Sequence, residues 1–417
     1  MSTALPVAVI GCGHLGTFHA RLYRELPGVE LRAVMDTVPE KARALGESLG
    51  VPGMTDLAAA LRGVRAVSVA TPTVTHEAVT AACLRAGCAV LVEKPIAATA
   101  EEGERMVRAA EERGLPLAVG HVERFNPAFR AAAERVGRPR FIEAHRLATF
   151  VPRSLDVDVV LDLMIHDLDL TLALVPSAVE SVDAVGVPVL TAEEDIANAR
   201  LRFADGTVAN LTASRVSRER VRKIRFFGER RYVSLDRMER RAEEVVLEEA
   251  GGGAGLAAGA ASGSSAAVGA GAGTGAAADA TKHAATGATG DAAAHAAGSA
   301  PGGPHTAADP ALLALLRAAS ADAASASADP ADDTGGGGSA EELLAFFHAR
   351  RLRLRHDLRP FTDANPLRDE LADFVGAVRG GTLHGASGAD GLRALRLALE
   401  VRDRVRASLA RMGLPRA

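Results

Sequence analysis

Val7-Ala-Val-Ile-Gly11-Cys-Gly13-His-Leu-Gly16 is the stretch on which the fold turns. Four apolar residues run straight into a glycine triplet, and a helical pattern, Leu15–Leu26, follows at once. Gly11 permits a tight turn after a strand, Gly13 lets the backbone approach a pyrophosphate, and Gly16 lets helix and strand pack closely. The phosphates of a dinucleotide then sit at the helix N-terminus, where unpaired amides favour negative charge, with His14 and Leu15 in the first turn. Asp36 closes the next apolar run, Leu31–Met35, twenty residues after Gly16. An acidic group there accepts hydrogen bonds from a ribose 2′-hydroxyl and repels a 2′-phosphate, which favours NAD over NADP. The same glycines serve turns in other α/β folds and in flavin-binding proteins. The strand before them, the helix after them and the acid beyond them are what point to a nicotinamide dinucleotide.

Outward from this motif, residues 5–122 alternate strand and helix patterns. Apolar runs at Ala66–Ala70, Val90–Val92 and Leu117–Val119 are separated by helical stretches such as Pro39–Leu49, Thr75–Ala86 and Thr99–Arg113. Continuous apolar strands joined by single helices predict a doubly wound parallel sheet covered on both faces, an α/β Rossmann domain over 1–122. Beyond it, Ala197–Phe203, Thr207–Ser214 and Lys223–Phe227 follow one another across tight turns, which reads as antiparallel sheet. Two amphipathic helices, Asn365–Gly380 and Gly391–Met412, close the chain. The second domain is therefore expected to be α+β, built from 123–250 and 340–417.

What separates its halves is compositional. From Gly251 to Ala300, 35 of 50 residues are Ala or Gly, and the bias continues to about Ser339. Such a segment lacks the bulky apolar surface to repay the entropy of ordering it, so 251–339 reads as a disordered insertion with no catalytic role. The whole chain has 417 residues, 48 basic against 52 acidic, and a formal net charge of −4. That balance argues against nucleic acid as a partner, which demands a concentrated positive surface, and the near absence of Tyr and Trp leaves little to stack on bases. Cys12, Cys83 and Cys88 form neither a metal-ligand spacing nor a disulfide framework, so no metal is expected and a cytoplasmic location fits best. No apolar run is long enough to span a membrane, and the N-terminus reads as a strand rather than a signal peptide.

Two further stretches carry chemistry. Val92-Glu93-Lys94-Pro95 closes a strand at the carboxyl edge of the parallel sheet, where ligands bind, although a lysine there is equally compatible with an exposed loop. In Asp156-Val-Asp-Val-Val-Leu-Asp162-Leu-Met-Ile-His166-Asp-Leu-Asp169, helical spacing stacks Asp158, Asp162, His166 and Asp169 on one face of an otherwise apolar helix. A buried polar seam is costly unless its members are paired or used, and a self-satisfied Asp–His pair in a core is one way to pair them.

Taken together, Gly11-x-Gly13-x-x-Gly16, Ala70-Thr-Pro-Thr73 with His76, Glu93-Lys94-Pro95 and Asp162-x3-His166 resemble the Gfo/Idh/MocA oxidoreductase family over almost the whole chain outside the insertion. The resemblance implies a Rossmann domain joined to a C-terminal domain with an open, largely antiparallel sheet. It also implies oxidation or reduction of a hydroxyl on a sugar, cyclitol or nucleotide sugar. It places Lys94, Asp162 and His166 at the reacting carbon, and Thr71, Pro72, His76, Glu93 and Lys94 beside the cofactor. Gly120-His-Val-Glu-Arg-Phe-Asn-Pro127 and Asn210-Leu-Thr-Ala-Ser-Arg-Val-Ser217 are similar to the UDP-N-acetylglucosamine 3-dehydrogenase branch of that family. On that basis the substrate is a sugar, UDP-linked, and Arg124, Asn126, Arg153 and Arg215 join Lys94 and His166 as substrate contacts. A homodimer or homotetramer and a downstream aminotransferase are the implied partners. Arg218, Arg220 and Arg222 alternate along a strand-like run, where a solvated face is the simpler expectation. The alternatives are a free-sugar or inositol dehydrogenase on the same scaffold, or a non-catalytic dinucleotide sensor.

Overall fold

The computed structural model describes residues 4–151, 157–249, 352–361 and 364–413. The insertion 251–339 and Arg153 lie outside the described residues. Nearly everything described belongs to one unit, Met1–Glu248 with Leu354–Ala417.

The first part is built from β1 (Leu5–Ile10), α1 (His14–Glu25), β2 (Val29–Met35), α2 (Pro39–Leu49), β3 (Gly53–Met54), α3 (Leu57–Ala60), β4 (Ala66–Val69), α4 (His76–Arg85), β5 (Ala89–Val92), α5 (Ala100–Glu111) and β6 (Leu117–Val119). Its strands pair in parallel in the order β6-β5-β4-β1-β2-β3. All four residues of β4 and of β5 are buried, as strands covered on both faces must be. Strand order reverses between β1 and β4, and this is the switch point at which ligands bind in open α/β sheets.

A second sheet follows. α6 (Pro127–Val136), β7 (Phe141–Leu147), α7 (Ile165–Leu174), β8 (Val179–Val187), β9 (Ile196–Phe203), β10 (Val208–Ser214), β11 (Val221–Gly228), β12 (Arg231–Asp236), β13 (Arg241–Glu249) and β14 (Leu352–Pro360) give the order β14-β13-β12-β11-β7-β10-β9-β8. The β7–β10 pair is parallel, and β9–β10, β7–β11, β11–β12, β12–β13 and β8–β9 are antiparallel. Alternation along β7 turns Ile142, Ala144 and Arg146 to the packed face, against α6 and α7. Two of these are core residues; the third is an arginine. The expected α/β plus α+β class with an open, largely antiparallel second sheet is therefore the observed one.

The tail departs from the expected boundary. In α8 (Pro366–Val378), Leu371, Phe374 and Val375 pack into the core beneath β1 and α1. β15 (Ala386–Ser387) adds an antiparallel strand beside β6. α9 (Gly388–Arg411) buries Leu395 in the first core, and Leu397, Val401 and Val405 in the second. An amphipathic pattern says that a helix is buried on one face; it does not say against which sheet. Among the described residues, no helix is long and apolar enough to cross a membrane, and no group of His, Cys, Asp or Glu is arranged to hold a metal ion.

Glu370 on α8 is 3% exposed, and neither carboxylate oxygen has a hydrogen-bond partner among the described residues. Burial, reinforced by the charges of Glu93, Asp169 and Asp373, raises its pKa well above the ordinary value. A folded-state pKa above the unfolded one means that folding takes up a proton, so this group's contribution to stability declines as pH rises above about 4.3. Glu370→Gln, which cannot ionise, should therefore melt above the wild type by a margin that widens from pH 5 to pH 8. Thermal melts across that range check it, and a margin constant with pH would show that the carboxyl is ionised in the fold.

Candidate active site

At the switch point the first motif adopts the shape its glycines suggest. Gly11 has φ +98°, and its N–H donates to the Met35 carbonyl at 2.7 Å. A Cβ on Gly16 would lie 1.8 Å from the Gly11 carbonyl oxygen, so nothing larger than glycine fits there. A Cβ on Gly13, in contrast, meets nothing within 4 Å: this residue faces open space at the start of α1. No side chain caps that helix, and His14 and Leu15 are exposed in its first turn. The α1 N-terminus is thus an uncapped set of amide donors with room in front of it, which fits a diphosphate. Asp36, just past β2, accepts from the Cys12 N–H at 2.8 Å and the Val38 N–H at 2.9 Å, which fixes its carboxylate beside the glycine turn. Burial and then Asp36 push the Cys12 thiol up to about 11, so it stays a neutral lining group. These residues fit a dinucleotide with an unmodified ribose.

Thr71 and Pro72 follow β4 on the other side of the crevice. The Thr71 hydroxyl accepts from Thr75 at 2.8 Å, and Pro72 is exposed. His76 does not line the crevice. It is 1% exposed, with Nδ1 3.0 Å from the Pro95 carbonyl and Nε2 2.9 Å from the Thr71 carbonyl. Burial lowers its pKa, and a neutral imidazole donates to only one of the two. His76 holds the loop after β4 to the loop after β5. Glu93 also turns inward, its Oε1 3.0 Å from Nε2 of the buried His19 on α1. Burial opposes ionisation of Glu93, but His19 and Lys94 outweigh it and the pKa is lowered.

Lys94 turns the other way. Its Nζ donates to the Asp162 carbonyl at 2.7 Å and to Asp162 Oδ1 at 3.4 Å, joining the edge of the first sheet to the helix that precedes α7. That helix is not regular. Val160–Met164 forms a π-helical turn, a rare feature found mostly at functional sites. Asp158, Asp162 and Asp169, expected to stack with His166 on one face, take different partners. Asp158 instead caps the helix start, accepting from the Val160 and Leu161 N–H groups at 3.0 and 2.9 Å. Asp162 faces Lys94, while Asp169 takes the guanidinium fork of Arg124 at 2.8 and 2.7 Å.

His166 is half-buried, and Nδ1 is sealed from solvent with no hydrogen-bond partner among the described residues. The His121 ring stands edge-on at a centroid distance of 6.3 Å. Burial first, then the positive charges of Lys94, Arg146 and Arg237, lower the His166 pKa well below its usual value, so the imidazole is neutral at pH 7. Those arginines belong to a buried ionic network. Arg146 Nε and Nη2 reach Asp167 at 2.9 and 3.1 Å, Arg237 Nη2 reaches Asp167 at 2.7 Å, and Arg146 also contacts Glu123. Burial would raise the Asp167 carboxyl, but Arg146 and Arg237 reverse that and lower it. Removing one partner of such a buried pair typically costs about 3–5 kcal/mol.

Three residues expected to touch substrate have other partners. Arg124 is committed to Asp169 and lies 3.5 Å from Asp390. Asn126 caps α6 through the Ala128 N–H and donates to Glu123 at 3.3 Å. Arg215 is buried and donates to Asp195 and to the carbonyls of Val157 and Glu194. Arg, Asn and Asp suit scaffold hydrogen bonds as well as ligand contacts, and residue type does not separate the two. Conversely, Arg146 and Glu123 stand beside His166 and Asp167. Arg146 had a signal, since it is a charge at an inward position of a strand; Arg237, beyond β12, had none.

Residues 5–121 match the profile described as oxidoreductase family, NAD-binding Rossmann fold, and residues 130–234 match the GFO/IDH/MocA C-terminal domain. Over 229 residues, 55% of this chain and 72% of the other, the sequence is 46% identical to the UDP-N-acetylglucosamine 3-dehydrogenase of Acidithiobacillus ferrooxidans. A solved structure of the UDP-N-acetylglucosamine 3-dehydrogenase from that organism has a TM-score of 0.70 at 30% identity, covering 97% of this chain and 99% of that one. The scyllo-inositol 2-dehydrogenase (NAD(+)) of Bacillus subtilis is 29% identical over 231 residues, 50% of this chain and 67% of that one. The uncapped helix facing Gly13, the carboxylate at Asp36 and the two matched domains make this chain an NAD-dependent dehydrogenase of the Gfo/Idh/MocA oxidoreductase family.

Proposed function

We propose that the protein oxidises the 3-hydroxyl of UDP-N-acetylglucosamine to a 3-keto sugar, with Lys94, Asp162 and His166 as its catalytic group. The observation that carries the assignment of these residues is the contact of Lys94 Nζ with Asp162 at 2.7 Å, one helical turn before a neutral His166. The choice of sugar rests on the 46% identity to the A. ferrooxidans enzyme.

When bound, NAD supplies the hydride acceptor for the carbinol carbon. The protein must remove the hydroxyl proton and steady the oxygen as it becomes negative. His166 is deprotonated at neutral pH and so is ready to accept that proton; in the reverse direction it returns it. Lys94 has three N–H donors, and Asp162 takes two of them. The third remains for the substrate oxygen, where the ammonium stabilises the developing alkoxide. Asp162 holds the ammonium in place, and Lys94 in turn helps to keep His166 uncharged. His76 and Glu93 support the loop that carries Lys94 without touching substrate. A 3-keto product is a carbonyl that an aminotransferase can convert to an amine, consistent with that class of enzyme as the downstream step.

A free polyol is the competing substrate, because inositol dehydrogenases also match. Purified protein with NAD and UDP-N-acetylglucosamine should produce NADH, read by absorbance, and UDP alone should inhibit. Turnover of myo- or scyllo-inositol with indifference to UDP would replace this assignment with the polyol one. His166→Ala should keep NAD binding and lose about 10²- to 10⁴-fold in kcat, the range for positioned proton transfer.

The acid limb of kcat/KM against pH, which reports the free enzyme, should fall below pH 6.5, the ordinary histidine value. Lys94→Met removes one of the cations that depress His166 and should move that limb upward, toward 6.5. If the limb vanishes in Lys94→Met and persists in His166→Ala, the proton acceptor is Lys94.

A further inference from the structure

The end of the second sheet nearest His166 carries more positive charge than its carboxylates balance. Arg222 on β11 sits directly across from Arg146 on β7, on the face that also buries Ile224 and Phe226. Arg237 donates its backbone N–H to the Arg222 carbonyl at 2.9 Å, so the three arginines occupy neighbouring backbone positions. Arg146 and Arg237 share Asp167 and Glu123. Arg222 has no hydrogen bond or ion pair from its side chain among the described residues. It is exposed, yet enough protein crowds it that burial, followed by the like charge of Arg146, lowers its pKa. Arg218 and Arg220 do not share the arrangement: both precede β11, and Arg220 reaches Thr149 at 3.3 Å.

A second observation points the same way. The Arg237 side chain is 1% exposed; its Nη1 lies 3.5 Å from Glu123 Oε1, and its Nε has no hydrogen-bond partner among the described residues. Buried donors without acceptors are uncommon, and an arginine fork matches the paired oxygens of a phosphate. One unfilled donor of Arg237 and the unpaired Arg222 guanidinium at neighbouring positions form an acceptor-seeking pair, close to the proposed proton acceptor.

We propose that Arg222, together with the unfilled Nε of Arg237, holds the phosphate or diphosphate ester of the substrate and so selects a phosphorylated sugar over a neutral polyol. This deepens the reading of the substrate as a UDP-sugar and rests on it.

The test uses the full chain loaded with NAD. Calorimetric titration with UDP and with inorganic pyrophosphate is paired with the KM for UDP-N-acetylglucosamine, in wild type, Arg222→Met and Arg222→Lys. Loss of one charge-assisted contact should weaken UDP binding and raise KM by about 10- to 100-fold in Arg222→Met, with a much smaller change in kcat. Arg222→Lys, which keeps the charge but not the fork, should recover part of that loss. Matching melting temperatures would show that both variants fold. Unchanged UDP affinity and KM in Arg222→Met would overturn the proposal, as would failure of the wild type to bind either UDP or pyrophosphate. If the wild type leaves UDP-sugars untouched but binds pyrophosphate through Arg222, the 3-dehydrogenase assignment falls and the anion subsite stands. If it oxidises UDP-N-acetylglucosamine and Arg222→Met is indistinguishable, the subsite falls and the assignment stands.

Discussion

The contact between Lys94 and Asp162 is the constraint on which the rest of the site depends. It joins a loop at the carboxyl edge of the parallel sheet to an irregular helix of the second half, 68 residues further along the chain. An ammonium that is 17% exposed needs acceptors, and here they come from both the main chain and the side chain of one residue. The surrounding loops are held so that this contact can form. His76 ties the turn after β4 to the carbonyl of Pro95, and Glu93 anchors the same loop to His19 on α1. Neither is placed to do chemistry; each removes a way for Lys94 to drift.

Beneath this contact lies a buried ionic network whose cost is set against its function. Arg146, Asp167 and Arg237 are each less than 5% exposed at the side chain, and ion pairs at that depth rarely stabilise a fold relative to apolar packing. What the network supplies is a fixed positive potential beside His166. Burial first, and then that potential together with Lys94, lowers the His166 pKa and keeps the imidazole neutral. The same excess of cations leaves the Arg222 side chain unpaired among the described residues. On the proposed assignments, substrate recognition and base activation draw on one set of charges.

Much of the fold was legible in the residues. Continuous apolar strands separated by single helices announced a parallel sheet, and the turn-spaced strands after residue 196 announced an antiparallel one. The roles of Gly11 and Gly16 follow from sterics that hold in any strand–turn–helix unit, so local sequence sufficed. Less of the site could be read. Asp158 is at helical spacing from Asp162, but it stands at the start of the helix and becomes a cap. Arg124, Asn126 and Arg215 are of types that bind phosphates and sugars, and the fold commits them to Asp169, to a helix cap and to Asp195.

The division between the two sources of information is physical. The sequence alone determined what depends on short-range geometry: the strand–glycine–helix turn, the acid at the end of β2, the alternation of the strands and the compositional break at residue 251. Tertiary structure alone decided what depends on who meets whom across the fold. It set the pairing of Lys94 with Asp162, the return of α8 and β15 to the first sheet and the sharing of Asp167 by two arginines. Backbone sterics act over a few residues and leave a mark in the order of the chain. Charge pairing and burial act through space, between side chains whose proximity exists only once the sheets have packed.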